Sequence, residues 1–450
     1  MKFLKNLNLL LLAAISFGTV ACSNDSNDDP KPGNGGTTPE SEFTVGGEEA
    51  WGKVMRGDDL TLGAFPDMYV CYWEYTFDAS ANPNIGLRVE GEYPDARFFN
   101  FNVYDDILQY NPLSDAGITT SLEDIDINPN KGSINSFRSN GEKDQHYTIY
   151  FLPQSANAAQ YEGKNVCWFG DYTKDEMGAE SWKHISVFLR YYIPSVIPYA
   201  GVELPTITAF DLTTGKDVKL PKREVSALHS VTIPGGAFVS NANMAFMRAP
   251  LSLMFPNGPA EYLFNRNELE PGKVLFFNVK VPSYPKSVAD YTNKDIDMRY
   301  WSMCLGAETT YSYYSIYDAN TTIDQDGFAW YVVVDPSDEN ADKVKELCQE
   351  RGYNYMPWDR AKVAQDAIEK GIANVTGSEI MVLYRNLMFD GYEHSIREKM
   401  QPIDINNPQN ITKEMIAIQA LGDYGPHGKK MTIEQFIEGG PQNLTIRPRN

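Results

Sequence analysis

The stretch Arg97-Phe-Phe-Asn-Phe-Asn-Val-Tyr104 limits the possible folds more than any other, because it alternates residue by residue. Phe99, Phe101 and Val103 fall on one side and Asn100 and Asn102 on the other, the period of two that marks a half-buried strand. Val274-Leu-Phe-Phe-Asn-Val-Lys-Val281 repeats the pattern, with Leu275, Phe277, Val279 and Val281 on one side. Further short segments rich in aromatic and apolar residues lie at 69–77, 147–152, 166–169, 185–193, 298–305, 311–317, 328–334 and 379–388. Loops carrying Gly, Asn, Asp and Pro separate them. Many short strands with turn punctuation predict a mainly β chain of two tandem antiparallel β-sandwich or jelly-roll-like domains.

The period changes only late in the chain. Ala341, Val344, Leu347 and Cys348 share one helical face with Gly352 as a C-cap. A second helix is expected over 360–370, ending at Gly371, and Thr432-Ile-Glu-Gln435 reads as a capping box before a short helix that stops at Gly439-Gly440. The second domain therefore carries added short helices, near 340–371 and 412–439. The polar, locally basic stretch 211–223 sets the boundary, with domain 1 at 45–215 and domain 2 at 224–450.

The halves echo one another. Asp95-Ala-Arg97-Phe-Phe-Asn-Phe matches Asp297-Met-Arg299-Tyr-Trp-Ser-Met, and Glu92-Tyr-Pro94 matches Ser283-Tyr-Pro285. Downstream, Leu189-Arg190-Tyr and Leu383-Tyr-Arg385 each set an arginine in or beside an apolar strand. The arginines lie 93 residues apart in the first half and 86 in the second. One β fold present twice would produce this pattern, although Arg-aromatic pairs also arise in unrelated strands.

The first 29 residues speak to location. Lys2 and Lys5 precede an apolar run from Leu7 to Phe17, and small residues then lead to Cys22. That is the layout of an export signal, too short for a membrane span. Thr19-Val20-Ala21-Cys22 resembles the cleavage box of bacterial lipoproteins, and the acidic Ser-Asn-Asp-Ser-Asn-Asp-Asp that follows resembles the surface-export tag of Bacteroidota lipoproteins. The resemblance implies removal of 1–21, an acylated Cys22 as lipid anchor, and an outer-membrane, surface-exposed chain whose first partner is the lipid bilayer. Residues 22–44, almost without apolar side chains, are expected to be a flexible stalk.

Charge excludes one class of partner. The net charge of −21 becomes −23 without Lys2 and Lys5. So acidic a chain repels phosphates, so nucleic-acid binding is disfavoured. Apart from Cys22 there are four cysteines, two per half: Cys71 and Cys167, then Cys304 and Cys348. One bridge per half is one reading, with Cys304–Cys348 the stronger candidate; four buried thiols is the other.

In the second half, Met298-Arg-Tyr-Trp-Ser-Met-Cys304, Ile323-Asp-Gln-Asp-Gly327, Val382-Leu-Tyr-Arg-Asn-Leu387 and Leu421-Gly-Asp-Tyr-Gly-Pro426 resemble blocks in uncharacterised secreted bacterial proteins. The resemblance spans about 272–436 and implies architecture, not chemistry.

Chemistry is harder to place. No H-E-x-x-H, G-x-S-x-G, Walker loop or G-x-G-x-x-G occurs. An arginine among apolar residues must be paired, so Arg97, Arg190, Arg299 and Arg385, with Trp301, are either ligand-binding positions for carboxylate or sugar, or partners of internal acids such as Asp95 and Asp297. Asp324 and Asp326 offer oxygens to Ca²⁺, but Asp-Gly is equally a hairpin turn. In Asp124-Ile-Asp126-Ile-Asn128-Pro-Asn130, Pro129 occupies the place where a calcium loop needs glycine. No cofactor and no catalytic residue is assigned. The doublets Tyr72-Trp73, Trp168-Phe169, Tyr191-Tyr192 and Tyr300-Trp301 suit sugar stacking or a sandwich core. The expectation is a non-catalytic lipoprotein that binds a ligand, a glycan or other small molecule. The alternatives are a glycan hydrolase with paired carboxylates, or a structural, assembly protein.

Overall fold

Alternation governs both halves of the computed structural model of this chain. It describes residues 43–58, 66–105, 118–139, 144–224, 243–249, 255–307, 311–372, 376–388, 391–403 and 410–439. The export segment, Cys22 and nearly all of the stalk lie outside the described residues.

The first half contributes β1 (Thr44–Val45), α1 (Gly47–Trp51), β2 (Val70–Asp78), β3 (Ile85–Glu92), β4 (Ala96–Asp105), β5 (Ile118–Glu123) and β6 (His146–Pro153). It continues with β7 (Asn165–Phe169), β8 (Thr173–Lys174), β9 (Glu180–Ser181), β10 (His184–Pro194), β11 (Thr206–Asp211) and β12 (Asp217–Val218). These make one sheet in the order β1-β11-β3-β6-β7, with β12 on β11, a second in the order β2-β10-β4-β5, and a separate two-stranded ribbon of β8 and β9. Cys71, Trp73, Tyr75 and Phe77 of β2, and Phe99, Phe101 and Val103 of β4, meet Leu87, Val89, Ile149 and Ile207 of the facing sheet in one core.

The second half supplies β13 (Asn243–Ala245), β14 (Met247–Arg248), β15 (Ala260–Glu268), β16 (Lys273–Lys280), β17 (Met298–Gly306), β18 (Ser312–Tyr317) and β19 (Phe328–Val334). Then come α2 (Ala341–Arg351), β20 (Asn354–Pro357), α3 (Arg360–Glu369), β21 (Glu379–Met388), α4 (Ile396–Lys399), α5 (Ala417–Leu421), β22 (His427–Thr432) and α6 (Ile433–Gly439). The sheets run β13-β22-β16-β19-β20 and β14-β15-β21-β17-β18. Leu275, Phe277 and Val279 pack on Trp301, Met303, Val382 and Tyr384.

The two strand orders match position for position: β2, β10, β4 and β5 stand where β15, β21, β17 and β18 stand in the second half. The fold is therefore mainly β and internally duplicated. One detail departs from an antiparallel reading. β7 pairs parallel with β6, and β20 parallel with β19. A parallel neighbour needs a crossover of about a dozen residues, commonly a helix. In the second half α2 is that crossover, capped by Gly352 in the left-handed region. The expected capping box is present: the Thr432 amide donates to Gln435 Oε1 and the Gln435 amide to Thr432 Oγ1. The polar stretch after Asp211 turns back as β12 on β11 rather than remaining strand-free.

Neither the β2-β10-β4-β5 sheet nor its counterpart shows its second face to water. Val70, Tyr72, Phe98, Tyr104, Phe188 and Tyr192 of the first half cluster with Phe255, Ala260, Tyr300 and Leu387 of the second. That is why Asn100 and Asn102, the polar side of the founding alternation, are 0 % exposed. Three of the aromatic doublets resolve the same way, with Trp73, Tyr191 and Trp301 in a core and Tyr72, Tyr192 and Tyr300 in the seam between halves; in the fourth, Phe169 joins the first core and Trp168 is half-buried on β7.

Candidate functional site

The four strand arginines converge on this seam, each reaching into the other half. Arg299 of β17 grips Asp124, the residue after β5, with Nη1 and Nη2 at 3.0 and 2.9 Å. Reciprocally, Arg97 of β4 pairs with Asp318, the residue after β18. Each aspartate also accepts the amide two residues beyond the arginine of its own half: Phe99 N on Asp124 at 3.0 Å and Trp301 N on Asp318 at 3.2 Å. Burial pushes both carboxyls above their ordinary range, and the facing guanidinium opposes it. The partners anticipated from sequence, Asp95 and Asp297, are not the ones used. Asp297 instead accepts from Ser283 N and Oγ, and Asp95 is exposed.

A second reciprocal exchange involves loops. Asp67, three residues before β2, lies in the second half's surface, where Oδ2 is 2.8 Å from Arg385 Nη1 and accepts from Tyr300 Oη and Ser302 Oγ. Asn257, three residues before β15, lies in the first half's surface. Its Oδ1 accepts from Asn100 and Asn102 at 2.6 and 3.0 Å, and its Nδ2 donates to Tyr192 Oη. The carbonyls before them match too, Pro66 accepting from Ser312 Oγ and Pro256 from Tyr104 Oη. Gly258 is needed for this approach, since a Cβ there would sit 2.6 Å from Ser121 Cβ. Arg190 donates to Tyr104 Oη and the Phe255 carbonyl, both at 2.8 Å, with its guanidinium over the rings of Tyr72 and Phe188.

Asp67, Asp124, Asp318 and Asn257 were not singled out from sequence as these partners. A signal existed: Phe65-Pro66-Asp67 and Phe255-Pro256-Asn257 stand at equal distances before equivalent strands.

Of the sequence candidates, Arg97 borders one of the two hollows described below. Arg190, Arg299 and Arg385 are buried. Trp301 lies in the second core, Nε1 donating to the Pro282 carbonyl at 3.2 Å. The Cys304–Cys348 bridge does not form, nor does one between Cys71 and Cys167; all four thiols are free. Cys304 faces Met247, Phe264, Leu383 and Ile403 outside one sheet, whereas Cys348 sits on α2 beyond the other. Asp324 closes a turn at Gly327, its Oδ1 accepting the amides of Asp326 and Phe328 and its Oδ2 the Trp330 Nε1–H.

Two adjoining hollows open along the seam, of about 590 and 210 Å³, sharing Asp95, Ala96 and Tyr291. The larger is lined by Glu92, Asp144, Gln145 and His146 of the first half and Val288 of the second. Arg97, Ser195, Lys286 and Ser287 line the smaller. Pro94 and Asp95 are adjacent in the first half, whereas Pro285 and Asp297 are separated by residues 286–296 in the second. That insertion supplies the far wall. His146 Nε2 lies 3.7 Å from Glu92 Oε1, and Lys286 Nζ stands 3.1 Å over the Tyr284 ring.

Beside the hollows projects an apolar tip: Val196, Ile197 and Tyr199 are 62, 54 and 37 % exposed. It is pinned by Ser195 N donating to the Asp95 carbonyl and Asp95 N to the Ala200 carbonyl. Ile193 and Ala200, at its two ends, have φ of 50° and 54°, a conformation costing roughly 1–3 kcal/mol in non-glycine residues. Together these groups make a mixed surface of carboxylate acceptors, an amide, an imidazole and half-exposed rings.

No protein-family profile and no curated protein matches the chain. Among solved structures, it is similar to the crystal structure of an uncharacterised protein from Burkholderia cenocepacia, with a TM-score of 0.46 and 11 % identity, covering 88 % of this chain and 84 % of that one. The BSP domain of a biofilm-associated protein gives a TM-score of 0.16 at 8 % identity, covering 81 % of this chain and 52 % of that one.

Proposed function

We propose that this chain is a lipid-anchored protein of the bacterial outer surface that binds, without converting it, a hydroxyl-rich ligand such as a glycan in the cleft beside Asp95. The observation that carries the reading is the cleft itself. Glu92, Asp95, Asp144 and Gln145 offer acceptors to hydroxyl groups, with the Tyr291 ring and the Tyr199 tip alongside. Polar groups converging in a concavity with an apolar margin are what a small-ligand site requires. Anchorage by an acylated Cys22 and delivery to the surface rest on the N-terminal sequence.

The test is a thermal-shift screen of the chain from residue 23 onward against oligosaccharides and polysaccharides, wild type beside Asp95→Asn/Asp144→Asn. A ligand at 100 times its Kd adds about 2.7 kcal/mol of stability. A melting shift in the wild type, absent in the variant and with the sugar intact afterwards, is the expected result. A shortened sugar moves the assignment to a hydrolase. Equal shifts in both proteins remove the cleft from the reading.

A further inference from the structure

The seam follows an isologous plan: at the strand arginines and their aspartates each half gives the other the groups that it receives, and at the loops Asn257 stands where the other side has Asp67. In a two-fold dimer, residue i meets j and j meets i. Here Arg97 meets Asp318 while Arg299 meets Asp124, and the loop at Asp67 enters one half while the loop at Asn257 enters the other. The first half therefore owns both members of each pair. Arg97 looks for an acid at the place Asp124 holds in its own half, and Asp67 looks for an arginine at the place Arg190 holds. The apolar surface, Val70, Tyr72, Phe98, Phe188 and Tyr192, belongs to the same face.

We propose that the first half's seam surface is self-complementary, and that the partner it fits besides its own second half is the first half of another copy of this chain. Exchanging the second half for a copy of the first keeps the Arg97 and Asp124 pairs and gives Arg190 the Asp67 carboxylate, where it now has the Phe255 carbonyl. The second half is less suited to itself, because Arg385 would face Asn257 in place of Asp67. Within one chain the tether sets an effective concentration on the order of millimolar, so the internal seam outcompetes a micromolar second copy. Weakening the internal seam alone should bring two chains together, first half to first half.

The test is made on the full chain. Arg299→Asp with Asp318→Arg sets like charges against Asp124 and Arg97 and leaves the first half untouched. Light scattering is expected to give twice the 50.6 kDa chain mass, in a fraction that rises with concentration. Adding Arg97→Asp and Asp124→Arg restores opposite charges within the chain, and the expected result is a monomer again. A folded two-site variant that stays monomeric at every concentration overturns the proposal, as does a dimer that the four-site variant retains. Should the two-site variant lose its near-ultraviolet circular dichroism, the milder Asp318→Asn takes its place. A folded, strictly monomeric Asp318→Asn chain overturns the proposal equally.

Discussion

Asp124 and Asp318 stand at equivalent positions, one residue past β5 and one past β18, and each holds the arginine of the opposite half. Both are buried, as is Arg299. Removing one member of such a pair strands a charge away from water, a loss of about 3–5 kcal/mol. Asp124→Asn is thus expected to lower the urea midpoint sharply. Replacing Arg299 by Met and Asp124 by Leu together removes both charges and is expected to cost less than the single change. A double variant worse than Asp124→Asn would contradict the argument.

The two loop residues make a sharper comparison. Asp67→Asn leaves Arg385 buried without its carboxylate, whereas Asn257→Asp copies the Asp67 arrangement on the side where Arg190 has none. Both substitutions exchange the same atoms. The first is expected to destabilise by about 3–5 kcal/mol, the second by clearly less. Equal losses in urea unfolding would mean that the halves are not equivalent at this point.

Strand positions were legible because the cores obey a period of two, and the duplication because Arg97-Phe-Phe and Arg299-Tyr-Trp both survive at equivalent strands. The second face was not legible. Asn100 and Asn102 read as solvent-facing, since nothing local reveals that another sheet will cover them and that Asn257 will satisfy them. Arginine pairing was anticipated in kind, but the acids lie some 175 and 221 residues away in sequence, a distance that periodicity does not bridge. Cleft residues such as Asp144 and Gln145 come together only through the register of β6 with β3 and the insertion at 286–296.

The thiols give a chemical check. Burial pushes Cys71 and Cys348 up to about 12 and Cys304 up to about 11, so almost no thiolate is present at neutral pH, and the thiolate is the reactive form. Ellman's reagent is expected to titrate none of the four in the native protein and all four in guanidinium without reductant. A native chain whose mass falls short of four alkylations after denaturation would establish a disulfide.

At the other end of the fold, α6 depends on a local device. Thr432 and Gln435 satisfy one another's amides at the helix start, and Phe436 of that helix packs on Phe276 at 5.2 Å between ring centres. Thr432→Ala removes the cap, at a cost of about 1 kcal/mol, and Thr432→Ser is expected to recover most of it. A loss unchanged by serine would assign the effect to the Thr432 methyl group.

Titration of His427 carries a definite sign. Burial lowers its pKa from the ordinary histidine value, with the Gly425 carbonyl acting in the opposite sense. A histidine held neutral in the fold binds its proton more readily when unfolded, so the stability it confers is complete above about pH 6.5 and is lost as pH falls below that. His427→Gln removes the titrating group and is expected to flatten urea stability between pH 7 and 5 relative to the wild type. If His427→Gln keeps the wild-type slope, the pH dependence belongs to other groups and the burial argument for His427 fails.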